Sequence, residues 1–286
     1  MTKFKVIVFV LFTAFISSCS SNDSNDDENS SAEAYFNFTY DGKVQTAKTW
    51  EAQKQGDFIE VLGTSQEGMA IGFKFNIYGN LYQATTNPTS VTSQIPWLVA
   101  SENFTSNTFT FTLENLNTTD KTVQVKFSGK VYENGYDYES DFVNVSGSFK
   151  VPYKDITPEI EGLGTFAKID GKDWHGLAFE GTIENQETKI IYAQNDGEYT
   201  IGIAFPDYEA KTGTYNFTSN NTYRISFQKY DVATHEDVTY DVSGTVTFTT
   251  LNDYLAAGTF SLTATHPVTK AKIVISNGTF KESAEF

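Results

Sequence analysis

The stretch Phe109-Thr110-Phe111-Thr112-Leu113 alternates apolar and hydroxyl side chains with a period of two. Successive side chains of a strand point to opposite faces, so such a run buries one face and wets the other. A helix would need its apolar residues three and four apart. The same alternation returns in Tyr223, Ile225 and Phe227, with Arg224, Ser226 and Gln228 turned outward, and in Val246 and Phe248 set against Thr245, Thr247 and Thr249. Thr, Val, Phe and Tyr all suit a pleated, half-buried surface. Asp41-Gly42 and Asp170-Gly171 are dipeptides of a primed hairpin turn. Leu251-Asn252-Asp253-Tyr254 reads as another turn, ahead of Gly258-Thr259-Phe260-Ser261-Leu262. The best helix candidate beyond the N-terminal leader is Glu51 to Gln55, one turn long. The fold class expected is all-β, with antiparallel strands in a sandwich or, as the alternative, a small barrel.

Comparison of the chain with itself extends this reading. Asp41-Gly42-Lys43 returns as Asp170-Gly171-Lys172, and Ile71-Gly72-Phe73-Lys74-Phe75 with Tyr78 returns as Ile201-Gly202-Ile203-Ala204-Phe205 with Tyr208. Asn107-Thr108-Phe109 matches Asn221-Thr222-Tyr223. Ser128-Gly129-Lys130-Val131 matches Ser243-Gly244-Thr245-Val246, and Gly147-Ser148-Phe149 matches Gly258-Thr259-Phe260. All the matches occur in one order, so two tandem β-domains related by duplication are expected, over 35–153 and 165–286. Residues 154–164 form the linker, with Pro158, Gly162 and Gly164 as breakers. The first copy carries an insertion between Tyr82 and Asn107; the second adds a C-terminal hairpin, Thr263 to Phe280.

Composition excludes several classes. The chain has 286 residues, 20 Lys+Arg against 36 Asp+Glu, a net charge of −16, and one Cys. Binding a phosphate backbone needs clustered cations, so no nucleic-acid partner is expected. One Cys makes neither an intramolecular disulfide nor a Cys-rich zinc site. With 24 Phe and 16 Tyr, the chain is too aromatic for global disorder.

The N-terminus is an address. Lys3 and Lys5 precede an apolar stretch from Val6 to Ile16, interrupted only by Thr13. At about 1.5 Å per residue this is far shorter than a hydrocarbon core of about 30 Å, so it reads as a signal-peptide core. It ends in Ile16-Ser17-Ser18-Cys19, which resembles a bacterial lipobox. That resemblance implies that 1–18 is a cleaved lipoprotein signal peptide and that Cys19 carries the lipid. Residues 19–34 then form an acidic, solvated tether. Acids just after the lipidated Cys are similar to the surface-export signals of Bacteroidota lipoproteins. The localisation implied is the outer membrane, lipid-anchored, with the cell surface favoured over the periplasmic face. The membrane partner is met through the lipid on Cys19.

Phe166-Ala167-Lys168-Ile169-Asp170-Gly171-Lys172-Asp173-Trp174, followed by Gly213-Thr214-Tyr215 and Gly258-Thr259-Phe260-Ser261-Leu262, resembles uncharacterised small β-domain lipoproteins of the Bacteroidota. The first copy departs from that pattern, since Trp50 lies further from Asp41 than Trp174 does from Asp170. The resemblance implies location and fold and transfers no catalytic residue.

Chemistry-bearing motifs are scarce. His175, His235 and His266 form no metal-ligand pair, and Gly63-Thr64-Ser65-Gln66-Glu67 breaks the nucleophile-elbow pattern at its last position. No catalytic residue and no enzyme activity are expected, and no cofactor other than a weak Ca²⁺ candidate. That candidate is Asp137, Glu139 and Asp141, whose spacing puts three oxygen ligands on one face if the segment is a strand. Trp50, Trp97 and Trp174 are the candidate ligand contacts, since an exposed indole stacks on a sugar or peptide. The function expected is a non-catalytic binding protein of the cell envelope, for a glycan, peptide or partner protein. The alternatives are a structural or adhesive surface protein and a carrier of apolar ligands.

Overall fold

The structure is a computed structural model and describes residues 33–89 and 96–285. The leader, Cys19 and nearly all of the tether lie outside the described residues. The protein is all-β, as expected, and builds two sheets in succession. The only helical element among the described residues is a single 3₁₀ turn, Thr105–Asn107.

The first sheet contains β1 (Tyr35–Tyr40), β2 (Lys43–Gln55), β3 (Phe58–Ser65), β4 (Met69–Asn76), β5 (Leu81–Pro88), β6 (Leu98–Val99), β7 (Phe109–Asn117), β8 (Thr122–Tyr132), β9 (Phe142–Pro152) and β10 (Lys154–Ile156). Its ladder runs β1-β9-β8-β6-β5-β4-β3-β2, and β1 also pairs with β2. The ring is therefore closed as an eight-stranded barrel. This corrects the sandwich expectation in favour of the barrel alternative. Two devices allow the closure. β2 carries a bulge between Ala47 and Thr49, which bends the strand. Gly147 faces β1 so closely that a Cβ there would collide with the Asn37 carbonyl oxygen.

The barrel interior is filled by aromatic rings. Phe36 stacks on Phe149 at 4.8 Å, and Phe73 meets Phe127 at 4.6 Å. These rings are almost wholly buried. Glu51 to Gln55, the helix candidate, is the outer half of β2, paired with β3 and with β10. Long-range pairing outweighs the weak helical preference of one turn. The first three linker residues thus form a strand, β10, lying parallel to β2.

The second sheet contains β11 (Gly164–Ile169), β12 (Lys172–Glu184), β13 (Thr188–Gln194), β14 (Tyr199–Pro206), β15 (Gly213–Thr218), β16 (Arg224–Asp231), β17 (Glu236–Thr239), β18 (Asp241–Leu251), β19 (Leu255–Thr265) and β20 (Lys272–Ser283). Its order is β15-β18-β19-β20-β11-β12-β13-β14-β16-β17. It curls into a half-barrel. Tyr240 joins β17 to β18, and its N–H bonds the Phe227 carbonyl of β16 at 3.0 Å. β20 sits between β19 and β11, whereas β9 and β1 pair directly in the first sheet. Both predicted turns form as primed turns: Asp41 and Gly42, like Asp170 and Gly171, have positive φ.

Phe73→Ala removes the ring that touches Phe127 and Phe149 and is expected to cost about 3–5 kcal/mol. The check is the urea midpoint of the full-length chain. A loss below about 1 kcal/mol would show that this ring does not hold the barrel together.

Candidate functional site

The three Trp residues fall in different places. Trp174 on β12 is 7% exposed and belongs to the second core. This corrects its assignment as a ligand contact, because no sugar or peptide can stack on a ring so enclosed. Trp50 on β2 is half-buried against the first core. Trp97, just before β6, is 46% exposed, while its neighbour Leu98 is buried.

Asp137, Glu139 and Asp141 lie in the loop between β8 and β9, so the strand premise behind the Ca²⁺ reading fails. The Asp137 carboxylate accepts the Glu139 N–H at 2.8 Å, an Asx-type turn contact. Among the described residues no group of three His, Cys, Asp or Glu side chains is placed to hold a metal ion. The histidines are also apart. His235 lies edge-on to Tyr138, and His266 accepts the N–H groups of Val268 and Thr269 through Nδ1.

His175 belongs to a seam between the two sheets. Its ring stacks on Tyr78 at 4.0 Å, beside Phe166. Burial lowers its pKa, against the opposing pull of Asp173 and Asp57. Along the seam, Asn80 Nδ2 donates to the Asp196 carboxylate at 3.0 Å, and Ser106 N–H donates to the Asp196 carbonyl at 2.8 Å. Burial raises the Asp196 pKa, opposed by the hydrogen bond from Asn80 and by backbone N–H groups. Tyr82 packs edge-on against Phe179, while its hydroxyl accepts Asn76 Nδ2 at 2.9 Å. Burial also raises the Tyr82 pKa, with Glu282 and Asp196 adding smaller contributions.

Glu282 on β20 is fully buried. It accepts the Thr165 hydroxyl at 2.6 Å and the Ala178 N–H at 3.1 Å. Burial pushes its pKa up to about 8, so the carboxyl is neutral at pH 7. These bonds tie β20 to β11 and β12 within the second sheet.

An open surface is found elsewhere on the second sheet, where the β14–β15 loop meets the β18–β19 turn. A cleft of about 220 Å³ lies between Lys189, Pro206, Asp207, Glu209, Asn252 and Asp253. A second, of about 300 Å³, shares Pro206 and is lined by Tyr215, Asn216, Asn221, Thr222 and Tyr223. Tyr208 and Tyr254, chain neighbours of the first lining, are 77% and 64% exposed. Tyr215 and Tyr223 stack face to face at 3.9 Å. The Tyr215 hydroxyl donates to the Lys211 carbonyl and the Tyr223 hydroxyl accepts the Lys211 N–H, so the pair is pinned at both rings. This end can stack flat apolar faces and exchange hydrogen bonds around them.

Sequence reasoning singled out none of these four tyrosines as contacts. The available signal was position: Tyr208, Tyr223 and Tyr254 flank turns, where a ring has no opposite strand to cover it.

Residues 165–283 match the family model described as "Domain of unknown function (DUF6252)". A DUF6252 domain is therefore present, and it spans nearly the whole second sheet, tyrosine end included. No curated protein and no solved structure matches the chain.

The folded pKa of Glu282 lies above the ordinary glutamate value of 4.5. The folded chain therefore keeps this proton longer than the unfolded chain. The associated stability is full below about pH 4.5 and is lost as pH rises through about 8. Glu282→Gln, neutral at every pH, is expected to match the parent near pH 4 and exceed it at pH 9 by at most about 5 kcal/mol. Urea melts across that range are the check; a constant difference between the two chains would refute a titrating Glu282.

Proposed function

We propose that the protein is a lipid-anchored, non-catalytic binding protein of the bacterial cell envelope, held through Cys19 in the outer membrane and displayed at the surface. Its ligand is a glycan, a peptide or a partner protein, met at the tyrosine end of the second sheet. The observation that carries this reading is the exposure of Tyr208 and Tyr254 beside two clefts, one of them walled by the hydrogen-bonded Tyr215–Tyr223 stack. Exposed aromatic rings against a preset wall lose little entropy on binding. The lipobox and the acidic run support the address.

We also read the two sheets as diverged copies. Ile71-Gly72 lies on β4 and Ile201-Gly202 on β14, each strand paired to the third strand of its sheet. Gly147 lies on β9 and Gly258 on β19, each paired to the preceding long strand. The carrier alternative gains no support from a barrel interior filled by Phe rings. The structural alternative draws on β15, which lies at the end of its ladder with β18 on one side.

Two measurements test the proposal. Protease added to intact cells is expected to degrade the protein, and Cys19→Ala is expected to release it from the membrane fraction. Full-length protein in detergent is then expected to bind a probe from a panel of oligosaccharides and peptides saturably. That binding should be lost in the Tyr208→Ala/Tyr254→Ala double variant, with an unchanged melting temperature. Self-assembly with no probe bound would move the reading to the structural alternative.

A further inference from the structure

We infer that the tyrosine end takes an uncharged glycan, an inference that rests on the binding reading above and names its ligand class. Three features of the surface point to this chemistry.

The first is the orientation of its amides. Three asparagines line the clefts, and each commits its side-chain oxygen to the fold. Asn252 Oδ1 accepts the N–H groups of Tyr254 at 3.0 Å and Leu255 at 2.9 Å. Asn221 Oδ1 accepts the Thr218 N–H at 2.6 Å and the Thr218 hydroxyl at 3.0 Å. Asn216 Oδ1 accepts the Thr245 hydroxyl at 3.0 Å. Each amide therefore retains its NH₂ as a donor. Asn252 lines the first cleft together with the carboxylates of Asp207, Glu209 and Asp253, which are acceptors, while Asn216 and Asn221 line the adjoining second cleft. A sugar hydroxyl both donates and accepts, so neighbouring hydroxyls match a surface that offers carboxylate acceptors in one cleft and amide donors in both.

The second feature is charge. Three carboxylates line the first cleft against one cation, Lys189, which donates to the Ala284 carbonyl at 2.9 Å and pairs with Asp207 at 3.9 Å, so the cleft keeps a net negative charge. The whole chain carries −16. An anionic polysaccharide or a phosphate ligand would be repelled, whereas a neutral ring meets no such penalty.

The third is shape. Tyr208 and Tyr254 are exposed beside shallow clefts, and Tyr215 and Tyr223 are half-buried in the wall of one of them. A tightly held peptide or protein needs anchors driven into desolvated pockets. A sugar ring needs only a flat aromatic face on one side and hydrogen bonds at its rim. The pinned Tyr215–Tyr223 pair and the exposed Tyr208 and Tyr254 provide such faces.

Calorimetric titration of the full-length chain in detergent tests the inference. The probes are cellohexaose, laminarihexaose, mannohexaose and chitohexaose, with a hexamer of galacturonic acid as the anionic control. At least one neutral hexasaccharide is expected to bind with Kd on the order of 10–1000 μM, with little dependence on salt, and more tightly than the anionic hexamer. Tyr208→Ala and Tyr254→Ala are each expected to weaken it by about 10-fold. Tyr254→Phe, which keeps the ring, should retain most of the affinity. Absence of neutral binding below about 5 mM overturns the inference. Tighter, tyrosine-dependent binding of the anionic hexamer or of a peptide overturns the glycan class while leaving the site in place. Neutral binding untouched by both alanine variants overturns the site itself.

Discussion

The architecture depends on β1 being hydrogen-bonded along both edges. This six-residue strand pairs with β2 on one side and β9 on the other. A sheet edge left open carries a row of unpaired backbone groups, and closure removes that liability. Closure also sets the packing. It turns Phe36 and Phe38 inward onto Phe149, so the interior becomes a stack of rings rather than a cavity. In the second sheet, β11 is likewise paired on both edges, with β12 and β20. There β20 stands between β11 and β19, the ladder is one strand longer along that path, and the sheet curls with β15 and β17 as its ends.

That added strand has a second consequence. β20 brings Glu282 beneath Thr165 and Ala178, on the side where Tyr82 of the first sheet packs against Phe179. A buried ionised carboxylate would be costly in a site this dry, and the neutral form escapes most of that cost. The seam itself is built from the Tyr78–His175 and Tyr82–Phe179 ring contacts and the bonds of Asn80 and Ser106 to Asp196.

What was legible in the sequence follows from how local each feature is. Asp41-Gly42 and Asp170-Gly171 required their turns because both central residues need positive φ, and the period-two runs required strands. The choice between barrel and sandwich was not legible, since it hangs on one short strand finding two partners far away in sequence. Trp174 read as a surface candidate because it follows a turn, yet it faces inward and sits among core residues such as Ala167 and Ile169. Asp137, Glu139 and Asp141 read as one face of a strand, but Asn134, Asp137 and Ser140 bond their neighbours' backbone and hold the segment as a loop. The tyrosine end was hidden for a related reason. Tyr215 and Tyr223 alternate like core residues, and only the curl of the sheet leaves them at its rim.

The matched pair Tyr78 and Tyr208 carries the comparison between the sheets furthest. Both residues follow an Ile-Gly strand by the same spacing and end on the loop after the fourth strand. In the first sheet that loop faces the second domain, and Tyr78 lies nearly flat on His175, at 4.0 Å and 29°. In the second sheet the corresponding Tyr208 stands 77% exposed. One loop position thus presents an aromatic face twice, and the first instance shows what that face accepts: a flat ring laid against it, with polar groups such as Asn80 and Asp196 bonding nearby. A saturated sugar ring makes the same demands, one apolar face and a polar rim. The seam between the two sheets is, in this respect, the nearest physical precedent for the ligand contact proposed at the tyrosine end.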